Sequence, residues 1–212
     1  MYISVENYEE MYLKNKGADA VEREVEKMRS EICKLKRKME APSYSHASKS
    51  FPSDDQIIEI YRSYLDKAEE VLSELRGGVC VLTEEERVAG LVDSMTESIE
   101  CVTLTVGRYL EDKYELSLSG SSAKITEIHL GEDHEAREVD KDEALAALRA
   151  IRIGEWRANY LPEQYGCTLN EPVKWQVRID YSGGAAPAFY DGLGIFPYNF
   201  SALCKLLGAE VY

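Results

Sequence analysis

A chain of 212 residues with 44% hydrophobic and 30% charged side chains holds enough apolar material for a core, and its net charge of −14 opposes general binding to nucleic acid or anionic membranes. No apolar run reaches the roughly 18 residues of a membrane-spanning helix, and the start Met1-Tyr2-Ile3-Ser4-Val5-Glu6 lacks the basic-then-apolar order of a secretory leader, so a cytoplasmic protein is expected. The five cysteines (Cys33, Cys80, Cys101, Cys167 and Cys204) are far apart with no Cys-x-x-Cys pair, and only His46, His129 and His134 accompany them, so reduced and mostly buried thiols are expected, with no metal and no cofactor.

Residues 1–80 read as a helical arm, coiled-coil-like or a hairpin. Val21, Val25, Met28, Ile32, Leu35 and Met39 are spaced 4, 3, 4, 3 and 4 apart, an a/d heptad seam. Acidic residues lead between them and basic residues follow, which suits the helix dipole. Three heptads are marginal alone in water, so the seam predicts either self-association, giving a homo-oligomer, or packing as one arm of a hairpin. Residues 41–54, with two prolines and five serines, form a linker. Ser53 or Asp54 caps a second helix that carries Ile57, Tyr61, Tyr64, Leu65, Ala68, Val71, Leu72 and Leu75 on one face and ends at Gly77-Gly78.

Residues 81–212 read as an α+β domain. Thr83-Glu84-Glu85-Glu86 is a capping box opening a helix with Val88, Leu91, Val92 and Met95. Residues 99–106 satisfy two patterns: Val102-Thr103-Leu104-Thr105-Val106 favours a strand, whereas Ile99, Val102 and Val106 continue the helical spacing. Tyr114, Leu116 and Leu118 alternate with polar residues, Gly120-Ser121-Ser122 turns the chain, and Lys124 to Leu130 forms a hairpin partner. An acidic loop from Gly131 to Glu135 follows. Asp140 or Asp142 caps a helix bearing Ala144, Leu145, Leu148 and Ile151, and Trp156 and Tyr160 share a face if that helix persists. Val173, Trp175, Val177, Ile179 and Tyr181 alternate strictly with Lys174, Gln176, Arg178 and Asp180. Ser182-Gly183-Gly184 turns this strand into a second hairpin, and a short helix runs from Ser201 to Leu207. Helices first, then a ββα-ββα order, predict an antiparallel sheet with helices on one face.

The segment Ile153-Gly154-Glu155-Trp156-Arg157 with Tyr160, the strand tryptophan Trp175, and Phe196-Pro197-Tyr198-Asn199-Phe200 resemble an uncharacterised protein family of gut Firmicutes and their phages and mobile elements. Met28-Arg29-Ser30-Glu31-Ile32 with Leu35-Lys36, and Tyr64-Leu65 with Ala68, extend the resemblance over most of the chain. The family tends to have Asp-Gly-Thr before the strand tryptophan, where this chain has Pro172-Val173-Lys174. It tends to have Gly-Ser-Asn before the aromatic-proline motif, where this chain has Gly192-Leu193-Gly194. The resemblance implies this organisation, a bacterial or phage origin and a bacterial host cytosol as location; it implies no catalytic residue.

Catalytic signatures are sparse. No Gly-x-Ser-x-Gly is present, and Gly192-Leu193-Gly194 lacks the third glycine and the strand-to-helix setting of a phosphate loop. A site assembled from distant residues has one local candidate, His129 with Glu127 two residues away on the same strand face, or with Glu115 across the hairpin. Lys34-Leu35-Lys36-Arg37-Lys38 is the polar flank of the heptad seam rather than a nucleic-acid patch. Glu132, Asp133, Glu135, Glu138 and Asp140 lack the ligand offsets of a calcium loop and read as a solvated acidic surface. The chain's acidity is concentrated there: residues 81–150 hold 17 acidic and 7 basic side chains, −10, against −3 for residues 1–80. Trp156, Tyr160, Trp175, Phe196 and Phe200 fit core packing, while Tyr198 and Asn199, between a proline and a helix, are expected to be exposed or to cap.

These features together predict a non-enzymatic acidic protein-interaction module. Its expected partner is a protein with a basic surface, with no direct nucleic-acid or membrane contact. Glu132, Asp133, Glu135, Glu138, Asp140, Tyr198 and Asn199 are the expected partner-binding residues. A concrete form is a phage or mobile-element inhibitor, anti-CRISPR-like, whose carboxylates stand where phosphates would lie on a host defence protein. The alternatives are an enzyme of unassigned type and a self-assembling structural subunit built on the heptad seam.

Overall fold

The structure, a computed structural model, describes residues 2–44, 51–78, 81–109, 112–129 and 132–210, with the backbone alone for 132–135. The chain divides into two compact units, Met1–Leu82 and Thr83–Tyr212.

The first unit is a helical hairpin. A short helix α1 (Val5–Tyr8) runs on as a π-helical turn over Glu9–Leu13 and leads into α2 (Ala18–Glu40) and α3 (Asp54–Arg76). Ser53 caps α3 in a full capping box with Gln56, and Gly77 ends it at φ 63°, a left-handed conformation suited to glycine. The heptad seam faces inward. Val21, Val25 and Met28 pack in one cluster with Tyr64, Ala68 and Leu72 of α3, and with Tyr8 and Leu13. The seam thus packs as one arm of a hairpin. Tyr8 stacks on Tyr64 with ring centroids 4.2 Å apart, and the Tyr64 hydroxyl accepts a 3.0 Å hydrogen bond from the Ile3 amide, pinning the amino-terminal turn to α3. Ion pairs join the two arms: Arg29–Glu69 at 2.9 Å, Lys38–Asp54 at 2.7 Å and Arg76–Glu22 at 2.8 Å.

The second unit is an α+β domain. Helix α4 (Glu84–Ser94) precedes four strands: β1 (Ile99–Gly107), β2 (Asp112–Ser119), β3 (Ser122–His129) and β4 (Glu132–Asp140). Helix α5 (Lys141–Ile151), the short β5 (Asn159–Tyr160), β6 (Lys174–Tyr181), β7 (Ala188–Leu193) and α6 (Phe200–Leu207) follow. Seven strands form one sheet in the order β4-β3-β2-β1-β6-β7-β5, antiparallel except for β5 with β7. Val102, Leu104, Val106, Leu116, Ile125, Trp175, Val177 and Ile179 turn one face inward. Leu145 and Leu148 of α5 and Phe200, Leu203 and Leu207 of α6 close over it.

Several elements differ from the expected order. Residues 99–107 are strand, because β1 pairs with both β2 and β6 and its β-branched residues fit that central position. The acidic stretch expected as a loop is β4, an edge strand paired along β3, so ββα-ββα becomes four strands, a helix, the short β5, two strands and a helix. Trp156 and Tyr160 do not share a helix face: α5 stops at Ile151, Arg152 turns left-handed at φ 52°, and Tyr160 lies in β5.

Two glycines show how tightly this unit is packed. Gly192 lies opposite Trp175 in the β6–β7 register, and a Cβ there would sit 2.3 Å from the indole Nε1. Gly90 on the exposed side of α4 has nothing within 4 Å. Gly192→Ala is therefore expected to destabilise by about 2 kcal/mol through overpacking. Gly90→Ala is expected to stabilise by about 1 kcal/mol through helix propensity. Urea unfolding midpoints read both, and a neutral Gly192→Ala would mean that Trp175 does not sit over that position.

Candidate functional site

Strand β4 ends at Asp140, whose carboxylate caps α5 by accepting from the Glu143 amide at 2.9 Å. This junction sets Glu138, Asp140, Asp142 and Glu143 side by side in sequence at the sheet edge, all exposed. None of the four enters an ion pair among the described residues. The basic residues within the segment point elsewhere: Arg137 donates to the Leu206 carbonyl at 2.8 Å, and Lys141 to the Gly120 carbonyl at 2.7 Å. The segment's own cations are thus turned to carbonyl groups, and the cation nearest Glu138 in the register is Lys124, directly across on β3. Glu132, Asp133 and Glu135 extend the strand, with their backbone paired to β3 and their side chains outside the described residues.

The other two residues expected to bind a partner lie elsewhere. Tyr198 is 5% exposed, and its hydroxyl donates to Glu155 Oε2 at 3.0 Å. Asn199 precedes α6 without capping it through its side chain. Its Oδ1 accepts from the Trp156 indole at 2.7 Å, and its amide nitrogen donates to the Ile151 carbonyl. The expectation of exposure fails because the segment turns inward to satisfy a buried indole and the open end of α5. These two residues tie the approach to α6 to the end of α5 and the turn that follows it. In the seam, Val21, Val25, Met28, Ile32 and Met39 are buried and Leu35 half-buried.

The sheet's second face is open, with a shallow groove of about 440 Å³ across β1, β6 and β7 that periodicity alone does not single out. It carries Thr103, Thr105, Gln176, Arg178, Phe189 and Asp191. Further along this face, Lys113 hydrogen-bonds Glu115 and Arg178 holds Asp180, and each bond keeps its carboxyl below the usual carboxylate range.

The catalytic pairing foreseen for His129 is not the one formed. Its Nδ1 lies against the Asp112 carboxylate directly across the hairpin, while Glu115 faces the opposite side of β2. The pair sits at an exposed strand end, and we draw no catalytic step from it. No group of three or more His, Cys, Asp or Glu side chains among the described residues could hold a metal ion. No helix among them is long and apolar enough to cross a membrane. The thiols differ: Cys33 is exposed, whereas burial pushes the Cys204 thiol up to about 12; Cys80 lies outside the described residues.

Comparisons of the chain with protein-family models, with curated proteins and with solved structures find no match.

Two stability predictions follow from these placements. Asn199→Ala strands the Trp156 N–H and the Ile151 carbonyl and is expected to cost about 2 kcal/mol in chemical unfolding; an unchanged midpoint would remove Asn199 from the α5–α6 junction. The second concerns Asp54, whose carboxyl the Lys38 ammonium holds below the usual range. Its unfolded form binds protons more readily, so this contribution is full above about pH 4 and is lost as pH falls through the folded value. Lys38→Met is expected to flatten that acid loss in urea titrations between about pH 5 and pH 2.5, and an unchanged acid limb would show the pair to be idle.

Proposed function

We propose that this protein is a non-catalytic acidic interaction module whose β4–α5 edge docks on a basic surface of a protein partner. The observation that carries the reading is the row Glu138, Asp140, Asp142 and Glu143, exposed and without ion pairs among the described residues. Partner lysines and arginines meeting this edge displace no existing intramolecular pair, so the charge is available for attraction. Such a field accelerates encounter and suppresses acidic competitors more than it adds raw affinity. In its most concrete form the partner is a host defence protein whose nucleic-acid-binding surface this edge occupies, as an anti-CRISPR-like inhibitor does. Spaced carboxylates on a strand and the first turn of a helix then take the places of backbone phosphates.

Tagged protein is incubated with nuclease-treated bacterial lysate over a salt series, and captured proteins are identified by mass spectrometry. A basic nucleic-acid-binding protein is expected to be held at low salt and lost at high salt. The variant Glu138→Gln/Asp142→Asn/Glu143→Gln, which keeps Asp140 as the cap, is expected to lower its capture at least about fivefold at low ionic strength. Capture that ignores both salt and these three substitutions would sink the reading.

A further inference from the structure

The open face of the sheet holds a second feature that the acidic edge does not explain. The strand registers set Thr105 opposite Gln176 and Gln176 opposite Asp191, one row across β1, β6 and β7. The adjacent row is Thr103, Arg178 and Phe189. Neighbouring strands are about 4.8 Å apart and rows on one face about 6.8 Å apart, so six side chains share a patch roughly the size of one long side chain laid flat. Its members are unequally occupied. Arg178 is committed: its Nε and Nη2 donate to the Asp180 carboxylate at 2.9 and 2.6 Å, and its guanidinium lies 5.2 Å from the Phe189 ring. Phe189 is nevertheless 58% exposed. The Asp191 carboxylate, the Gln176 amide and the Thr105 hydroxyl make no hydrogen bond among the described residues. The groove therefore combines an apolar ring, an unpaired carboxylate, an amide oxygen and a hydroxyl.

That donor and acceptor set selects a ligand. A phosphate is repelled by Asp191 and by the chain's net charge. A purely apolar side chain leaves Asp191 and Gln176 without partners as it excludes water. An arginine side chain fits the ring and the acceptors together: its methylene stem covers Phe189, and its planar fork of five N–H donors reaches the Asp191 carboxylate and, in line with it, the Gln176 Oε1 and the Thr105 hydroxyl oxygen. Lysine supplies charge but no fork. We propose that this groove receives one arginine side chain of the basic partner, with its stem across Phe189 and its guanidinium on Asp191, supported by Gln176 and Thr105. The Arg178–Asp180 pair keeps the resident guanidinium off Asp191 and so leaves that carboxylate for the incoming one. The identity of the donor rests on the reading of the partner as a basic protein; the arginine pocket itself is tested without it.

The test is a ¹H–¹⁵N NMR titration of the full chain with N-acetyl-arginine amide and, separately, with its citrulline counterpart, which keeps the shape and lacks the charge. The arginine compound is expected to shift the amides of residues 105, 176 and 189–191 with a Kd on the order of 1 mM. The citrulline compound is expected to bind at least about fivefold more weakly, and so is the arginine compound to Asp191→Asn and to Phe189→Ala. Phe189 and Asp191 are both exposed, so neither substitution threatens the fold. Glu138→Gln/Asp142→Asn/Glu143→Gln is expected to leave the groove titration unchanged. The proposal falls if these amides do not shift, if citrulline binds equally, if a neutral disaccharide such as maltose binds more tightly, or if the triple variant abolishes the shifts while Asp191→Asn spares them. Salt-sensitive partner capture without groove shifts would remove the pocket and keep the acidic edge. Groove shifts without such capture would keep the pocket and remove the edge.

Discussion

The seating of one indole organises the α+β unit. Trp175 is fully buried in β6, and its N–H donates to the Ile195 carbonyl at 2.7 Å, which fixes the chain just beyond β7. Gly192 gives the ring its floor, because any larger residue in that paired position would overlap it. Trp156, Tyr160, Phe196 and Phe200 surround it with ring centroids 4.8 to 6.3 Å away. These rings come from the segment after α5, from β5, and from the approach to α6 with its first residue, so one buried side chain sets the spacing of three chain segments around β6. The same strand pairs with β1, which carries the β2–β3–β4 side of the sheet.

Charge is handled differently in the hairpin and at the β4–α5 edge. In the hairpin, Arg29, Lys38 and Arg76 of one arm each find a carboxylate on the other, and further pairs such as Lys27–Glu24 and Lys34–Glu31 lie along α2. Pairs of this kind add little stability singly, but they leave little net field. At the β4–α5 edge the cations are directed to carbonyl groups and the carboxylates stay unpaired. The −10 of residues 81–150 is therefore not spread evenly: Arg87, Lys113 and Arg149 each pair with a carboxylate, and the edge residues are among those left over.

Much of the fold was legible because the responsible patterns are local. Ser53 and Thr83 with their downstream partners marked two helix starts, and alternation marked β2, β3 and β6. β4 escaped because an edge strand needs only one apolar residue here, the partly buried Val139, and its pairing with β3 is recorded in the partner rather than in its own composition. Residues 99–107 could not be settled by periodicity because a central strand and an amphipathic helix both accept Ile99, Val102 and Val106; two neighbouring strands decided the matter. Tyr198 and Asn199 were misplaced for a related reason. Their partners, Glu155, Trp156 and Ile151, are more than 40 positions away, and nothing near them in sequence announces an indole in need of an acceptor. The groove was equally hidden, since Phe189 and Asp191 acquire meaning only from the register that sets them beside Arg178 and Gln176.

The acidity of β4 also answers a problem that any open sheet faces. An exposed edge offers unpaired backbone groups to a second strand, and two copies of this chain could in principle meet there. Glu138 and Asp140, both exposed, oppose that encounter, because pairing β4 with itself would crowd like charges across a strand spacing of about 4.8 Å. The repulsion is selective. It rejects another copy of this acidic strand and leaves the edge open to a segment rich in lysine and arginine, for which every clash becomes an attraction. The same residues that carry the acidic edge therefore also work against edge-to-edge self-assembly. Like charge along β4 thus does for this sheet what a covering helix or a proline does for others: it keeps an open edge from pairing with its own kind.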